Sequence, residues 1–364
     1  MSSEQHYAHT FSTRDDPHAQ ARAARSQPLL LHSVSLFREI FAVIYRSRQI
    51  DTVIEVGVES GIASGLHLEL GASAVYAVDP CPDDDVRARF ATKDGLHLVE
   101  ESSPRALEQV PIGDLYVVDG DHNYSVVHRE ISWILAHAPN AVVVTHDVLW
   151  PWARRHLYYE PSPLGTEDRH NPTDDGPTVW HDEVTPAGFV GGGAFTSASD
   201  AGGEHNGVLT AIEDALSSTD DDWQFAIVPA IFGLGVLFRA PDTQSDIMSK
   251  ALAVYTESNL LFAMENNRIA LYSRVLQLQY EAAAHALDSD QLAETVQSQA
   301  KQIARLQAAL ESGRASQARD QDASRIASLH AISPDRTSPH ATALRIRTAA
   351  AILRDRTRFI LKGQ

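Results

Sequence analysis

Short apolar runs recur through the first two thirds of the chain, each bounded by turn-forming residues: Thr52–Val56, Ala74–Val78, His97–Val99, Leu115–Val118 and Ala141–Thr145. Runs of this length without polar alternation predict strands buried on both faces of a parallel sheet. Between them the period changes. Val34, Phe37, Ile40, Phe41 and Ile44 share one helical face, which predicts a helix over Ser33–Ser47, and Val127, Ile131, Ile134 and Leu135 predict another over Tyr124–Ala138. A helix near Gly207–Leu216 then leads to Phe225–Pro229 and Gly233–Phe238, whose short connection predicts an antiparallel hairpin at the sheet edge. The expected class is α/β, a doubly wound and mostly parallel sheet of seven strands with an antiparallel last strand.

Outside residues 33–240 the pattern divides further. Residues 1–32 are mostly polar and aperiodic, and are expected to form a flexible arm. Residues 151–206, rich in Pro, Gly, Asp and His, interrupt the strand series and carry two aromatic-basic patches, 150–155 and Leu157–Tyr159; a long loop leaving a strand end suggests a lid or acceptor-binding loop. Residues 241–312 are expected to form a helical arm. A heptad stripe runs there through Leu261, Met264, Arg268, Leu271, Val275, Leu278 and Ala282, breaks at His285 and Ser289, and resumes through Leu292, Val296, Gln299, Ile303, Leu306 and Leu310. Two helices in a hairpin or one interrupted coiled coil fit it, as a dimerisation arm or as a cap on the domain, with Arg268 and Gln299 available to select register. Residues 313–340 read as a flexible linker, and 341–364 as a basic amphipathic helix able to touch an anionic membrane surface, a nucleic acid or an acidic neighbouring subunit.

Composition narrows the classes. The net charge of −18 argues against general nucleic-acid binding by the domain. One cysteine, Cys81, excludes an internal disulfide and fits a reducing cytoplasm. With no run of about 18 apolar residues and no signal-peptide core, a soluble, cytoplasmic protein is expected.

The chemistry collects at the carboxyl ends of the strands, where ligands bind in open α/β sheets. After Thr52–Val56 comes Gly57-Val58-Glu59-Ser60-Gly61, a strand, glycine turn and helix start in which Gly57 permits a tight turn and close ligand approach. Glu59 occupies the place of the second glycine of a dinucleotide fingerprint, which weighs against NAD. Asp79, after the second strand, is spaced to receive two ribose hydroxyls; Glu101 and Ser102, after the third, are placed to border an adenine ring. Asp119, Asp121 and His122 follow the fourth strand and His146 and Asp147 the fifth. If those strands are neighbours the two clusters face each other, and hard oxygens with an imidazole suit magnesium or manganese. The alternative is that these groups only cap helices and bond loop amides. His128 and His137 fit solvated or packed roles.

The ordered motifs EVGVESG, Asp79, DGDH at Asp119–His122 and HDVLWP at His146–Pro151, followed by a hairpin, resemble the class I S-adenosylmethionine-dependent methyltransferases, with their Rossmann-like fold, over about residues 33–240. Within them the chain is similar to the metal-dependent O-methyltransferase branch of catechol and macrolide-sugar type, and to bacterial enzymes with DGDH and HD motifs. The resemblance implies that Glu55, Gly57 and Gly61 hold the methionine part of the cofactor and Asp79 its ribose, with Asp119 also at that site. It implies Asp119 and Asp147 as ligands of a divalent cation, His122 as general base, and a hydroxyl acceptor, a sugar, glycan or glycosylated natural product. His146 stands where relatives commonly have a carboxylate. The competing readings are a non-catalytic scaffold acting through its helical arm, and another metal-dependent enzyme on the same fold.

Overall fold

The computed structural model describes residues 14–331, apart from 161, 163, 166, 167, 241 and 242, and residues 347, 350 and 354. The expected basic C-terminal helix lies almost entirely outside the described residues. Residues Met1–Ala283 form one compact unit and Ala284–Gln364 a second.

In the first unit, helices α1 (Ala19–Arg25) and α2 (Arg38–Ser47) precede strand β1 (Thr52–Val56). Then follow α3 (Ile62–Leu70), β2 (Ala74–Val78), α4 (Asp84–Thr92), β3 (Leu96–Val99), β4 (Leu115–Val118), α5 (Tyr124–His137) and β5 (Val142–His146). These five strands are parallel, and β9 (Trp223–Val228) with the antiparallel β10 (Leu234–Arg239) completes a seven-stranded sheet ordered β3-β2-β1-β4-β5-β10-β9. The fold is the expected Rossmann-like, doubly wound sheet, and every strand matches its sequence reading to within two residues. The first predicted helix divides: Val34–Phe37 is a 3₁₀ turn, started by the Ser33 side chain, which accepts from Ser35 N.

Two apolar cores cover the two sheet faces. On one, Phe41 and Ile44 of α2 meet Val53, Val75 and Val144. On the other, Ile131 and Ile134 of α5 and Ile212 of α6 (Val208–Ser217) meet Ile54, Tyr116 and Val143. Each side chain so buried contributes about 1.5–3 kcal/mol, so the central strands and the polar groups at their ends are held rigidly.

Residues 151–206 are no structureless loop. They contain a small antiparallel sheet, β6 (Leu157–Tyr159), β7 (Pro172–Thr173) and β8 (Phe195–Ala198), in the order β6-β8-β7. Part of the aromatic-basic patches is taken up by packing within and beneath this insertion, whereas Arg154 pairs with Glu213 of α6. Trp152 packs edge-on to Phe189 and Phe195, and Arg155 is buried with its guanidinium on the carbonyls of Ala198 and Ser199. Tyr158 is buried under Arg169.

After α7 (Thr243–Thr256), α8 runs unbroken over Asn259–Ala331. The heptad break at His285 and Ser289 therefore does not interrupt the helix, and 313–331 is helical where a flexible linker was expected. Neither site carries a proline, and Asp288, Ser289 and Asp290 lower helix propensity without forbidding it. Met248 and Leu252 of α7 belong to the core. Arg268 is not a free seam residue, because it pairs with Glu265. In the second unit Leu287, Leu292, Val296, Ile303, Leu306 and Leu310 are exposed. No helix among the described residues is long and apolar enough to cross a membrane.

Candidate active site

The glycine turn after β1 is pressed against the end of β4. Gly57 takes φ +87°, and a Cβ there would run into the Asp119 carbonyl oxygen and come within 2.5 Å of Gly120 Cα. Gly61, φ +67°, starts α3 without a side-chain cap, which leaves the first helical N–H groups for a ligand. Glu55, on the central strand, is buried and accepts a hydrogen bond from Ser64 Oγ in the first turn of α3. Burial pushes its carboxyl up to about 8 against the lowering effect of Ser64, with Asp119 and Glu59 adding to the rise. Asp79 accepts from Val58 N at 3.3 Å and Cys81 N at 2.8 Å, so it orders the glycine turn from the neighbouring strand.

Across the same edge, β4 and β5 are adjacent, the arrangement that brings the two polar clusters together. The turn after β4 is braced by Asn123, which caps α5 by accepting from Val126 N at 2.9 Å and donates to Asp121 Oδ1 at 2.6 Å. That brace projects His122 toward the end of β5, where its Nδ1 lies 3.3 Å from Asp147 Oδ2. His146 Nδ1 lies 3.0 Å from Asp119 Oδ1 and 3.5 Å from Asp147 Oδ2, and its Nε2 donates to the Ile231 carbonyl at 2.8 Å. Asp147 has a left-handed backbone, φ 59°, and Val148 N and Leu149 N bond the Gly233 and Phe232 carbonyls of the β9–β10 turn. The Phe37 ring closes over His146 edge-on at 5.9 Å.

Two carboxylates and an imidazole thus converge, with ligand atoms of Asp119, His146 and Asp147 all within 4.8 Å of one another. Burial opposes a charge on His146, but the Asp119 and Asp147 carboxylates and the acceptors at both ring nitrogens raise it to about 9. The carboxylates thus favour a positive charge at this position, which either the imidazole's Nδ1 proton or a cation in its place would supply. Burial raises Asp147, with the nearby imidazoles opposing. Its Oδ1 is buried without a hydrogen-bond partner. A buried, unpartnered carboxylate oxygen costs about 1–3 kcal/mol or more. Together with the hard-oxygen and imidazole donors, it fits a divalent cation held by Asp119, Asp147 and His146 Nδ1, the His146 Nε2–H fixed from behind by Ile231.

Of the residues expected at the site, Glu55, Gly57, Gly61, Asp79, Asp119, His122, His146 and Asp147 line this one edge of the sheet. Glu101 and Ser102 follow β3; Glu101 faces Arg105 at 3.7 Å and Ser102 is exposed, neither touching the cluster. Asp121 braces its own turn, and burial raises its carboxyl. His128 and His137 stack on Tyr124 and Trp133, away from the chemistry. Two participants escaped the sequence reading, Ser64 and the Ile231 carbonyl, while Tyr159, from the expected aromatic patch, places its ring 5.9 Å from His122. A serine one turn into the helix was a usable signal; a backbone carbonyl carries none.

Residues 54–148 match a family profile described as a methyltransferase domain, a stretch that contains every site residue expected from the sequence, from Glu55 to Asp147. Among curated proteins none matches. Solved structures with similar folds include an O-methyltransferase from Bacillus cereus in complex with SAH, 13% identical, covering 61% of this chain and 88% of that one, TM-score 0.36. An amino pentose methyltransferase from Micromonospora echinaspora, SAM-bound, is 13% identical over 61% of this chain and 96% of that one, TM-score 0.34. A Burkholderia thailandensis 1,6-didemethyltoxoflavin-N1-methyltransferase is 11% identical over 66% of this chain and 92% of that one, TM-score 0.34.

Proposed function

We propose that this chain is an S-adenosylmethionine-dependent O-methyltransferase assisted by a divalent cation, acting on a hydroxyl of a sugar, glycan or glycosylated natural product. The observation that carries the reading is the buried Asp119, His146 and Asp147 group with His122 beside it, set against the Gly57 turn within the matched methyltransferase domain. When bound, the cofactor supplies a sulfonium methyl and the cation an electrophile that lowers the pKa of an alcohol.

The chain's own residues do the rest. Glu55 and the free amides of α3 receive the amino-acid end of the cofactor, and Asp79 the ribose. An imidazole whose Nδ1 faces a carboxylate carries its proton there, so Asp147 leaves His122 Nε2 as the base. With the cofactor bound, His122 would take the proton of the acceptor hydroxyl whose oxygen receives the methyl group. Tyr159 and half-buried Trp150 offer aromatic faces to a polar ring, and Trp150, Arg154, His181 and Asp182 border a cavity of about 820 Å³ in the insertion.

The exposed stripe from Leu292 to Leu310 belongs to the same proposal as a pairing surface for a second copy. One seam position holds Leu292, Gln299 and Leu306 and the other Val296, Ile303 and Leu310, so that β-branched residues at one and leucine at the other favour a two-stranded coil, with Gln299 as the single polar seam residue. A cytoplasmic location completes the reading.

The first test is calorimetric titration with S-adenosylhomocysteine, with magnesium and again after chelation. Micromolar binding supports the methyltransferase reading; no heat under either condition removes it.

A further inference from the structure

The turn between β9 and β10 is an unexpected neighbour of the site. Ile231 and Phe232 both adopt left-handed backbone, φ 50° and 63°. That conformation is costly for a β-branched residue and persists only where its surroundings impose it. What imposes it comes from α8. Glu265, buried, accepts from Ile231 N at 2.9 Å and from Phe232 N at 2.8 Å, its two oxygens filling the concavity that successive N–H groups make. Arg268, one turn on, holds the same carboxylate through Nε at 2.8 Å and Nη2 at 2.7 Å, lies 4.4 Å over the Phe232 ring, and reaches the Leu31 carbonyl at 3.2 Å. Arg268 keeps the carboxyl below the usual range against the effect of burial.

The other side of that turn faces the chemistry. The Ile231 carbonyl receives His146 Nε2–H, while the Phe232 and Gly233 carbonyls hold the backbone just beyond Asp147. We propose that Glu265 is a positioning residue for the cluster: by clamping the Ile231 and Phe232 N–H groups it aims the Ile231 carbonyl at His146, so that Nδ1 faces Asp119 and Asp147. The start of the long helix is thereby wired to the candidate metal site through one peptide turn. The metal readout below rests on the cation-site reading; the imidazole readout does not.

The test uses the full chain, wild type and the variants Glu265→Ala and Glu265→Gln. Free of metal, the His146 Nε2–H should appear as a slowly exchanging downfield proton, assigned by its loss in His146→Gln. Glu265→Ala should lose that signal to fast exchange and weaken Mn²⁺ binding about tenfold, as removal of a partner behind a metal-bound histidine does. Glu265→Gln keeps the volume and one acceptor and should fall between, and it carries the test if the alanine variant folds poorly. A wild-type signal and wild-type Mn²⁺ affinity in both variants would overturn the proposal. If the wild type takes up no Mn²⁺ while the imidazole signal still depends on Glu265, the positioning role stands and the cation reading fails. If Mn²⁺ is taken up while the imidazole signal is indifferent to Glu265, the cation reading stands and the positioning role fails.

Discussion

Asp147 serves two histidines at once: its Oδ2 lies 3.3 Å from His122 Nδ1 and 3.5 Å from His146 Nδ1, while its buried Oδ1 has no partner. One carboxylate therefore orients the base and closes the candidate cation site. Asp147→Asn retains the left-handed backbone that asparagine tolerates but loses the charge. Mn²⁺ binding measured by calorimetry should fall at least about tenfold. Unchanged affinity would leave Asp147 a structural residue.

His122→Ala should lower turnover by at least about a hundredfold, the usual worth of a positioned base. Affinity for S-adenosylhomocysteine should stay within a few-fold, because the imidazole faces Asp147 rather than the glycine turn. Full activity in this variant would remove His122 from the mechanism.

Gly57→Ala places a methyl group into the Asp119 and Gly120 backbone at a φ of +87°. Neither backbone can yield cheaply, so a loss of about 2–4 kcal/mol in denaturant unfolding is expected, with cofactor binding abolished. A near-neutral result would mean that the two strand ends separate more easily than their contact implies.

Glu130 of α5 is buried outside the site, and burial pushes its carboxyl up to about 8 with the Ser103 hydroxyl opposing. A carboxyl raised from 4.5 in the unfolded chain binds its proton more tightly when folded. Its stabilising contribution is complete below pH 4.5 and is lost as pH rises through about 8. Glu130→Gln should flatten the fall in stability over that window and gain on the order of 2 kcal/mol at its alkaline end. Parallel stability curves for the two proteins would contradict the shift.

Self-association is best tested by ending the chain after Ala283. A cut after Pro241 would also remove Met248, Leu252 and Glu265, which the domain itself uses. Light scattering should show the full chain as a dimer and the 1–283 chain as a monomer. Equal association states would discard the stripe from Leu292 to Leu310 as an interface.

The sheet was legible because its strands are continuous apolar runs separated by glycine and helical periodicity, a local signal. The cluster was legible for the same reason: neighbouring parallel strands bring their ends together, so DGDH and HD had to meet. What failed was whatever depends on contacts distant in sequence. Arg268 fell on the heptad seam by spacing, yet its partner Glu265 and the turn it serves lie in the domain. Helix propensity alone did not show that Ser289 and 313–331 would be carried along by the helix around them. Likewise Trp152 and Tyr158 looked like ring-stacking residues, since exposed and buried aromatics read alike along a chain.

The backbone of the insertion is fastened to the sheet domain near its ends. Leu157 N bonds the His122 carbonyl, and Val208 N and Leu209 N bond the Trp152 and Ala153 carbonyls. Between them the Phe189 ring packs edge-on to Phe232 at 5.9 Å and lies 5.7 Å from Tyr272, a third anchor, while none of the described residues from Glu160 to Ala194 bonds His122, His146 or Asp147. Apart from that one ring, the stretch is free to diverge or to be exchanged as a cassette while the reacting groups stay where the sheet puts them.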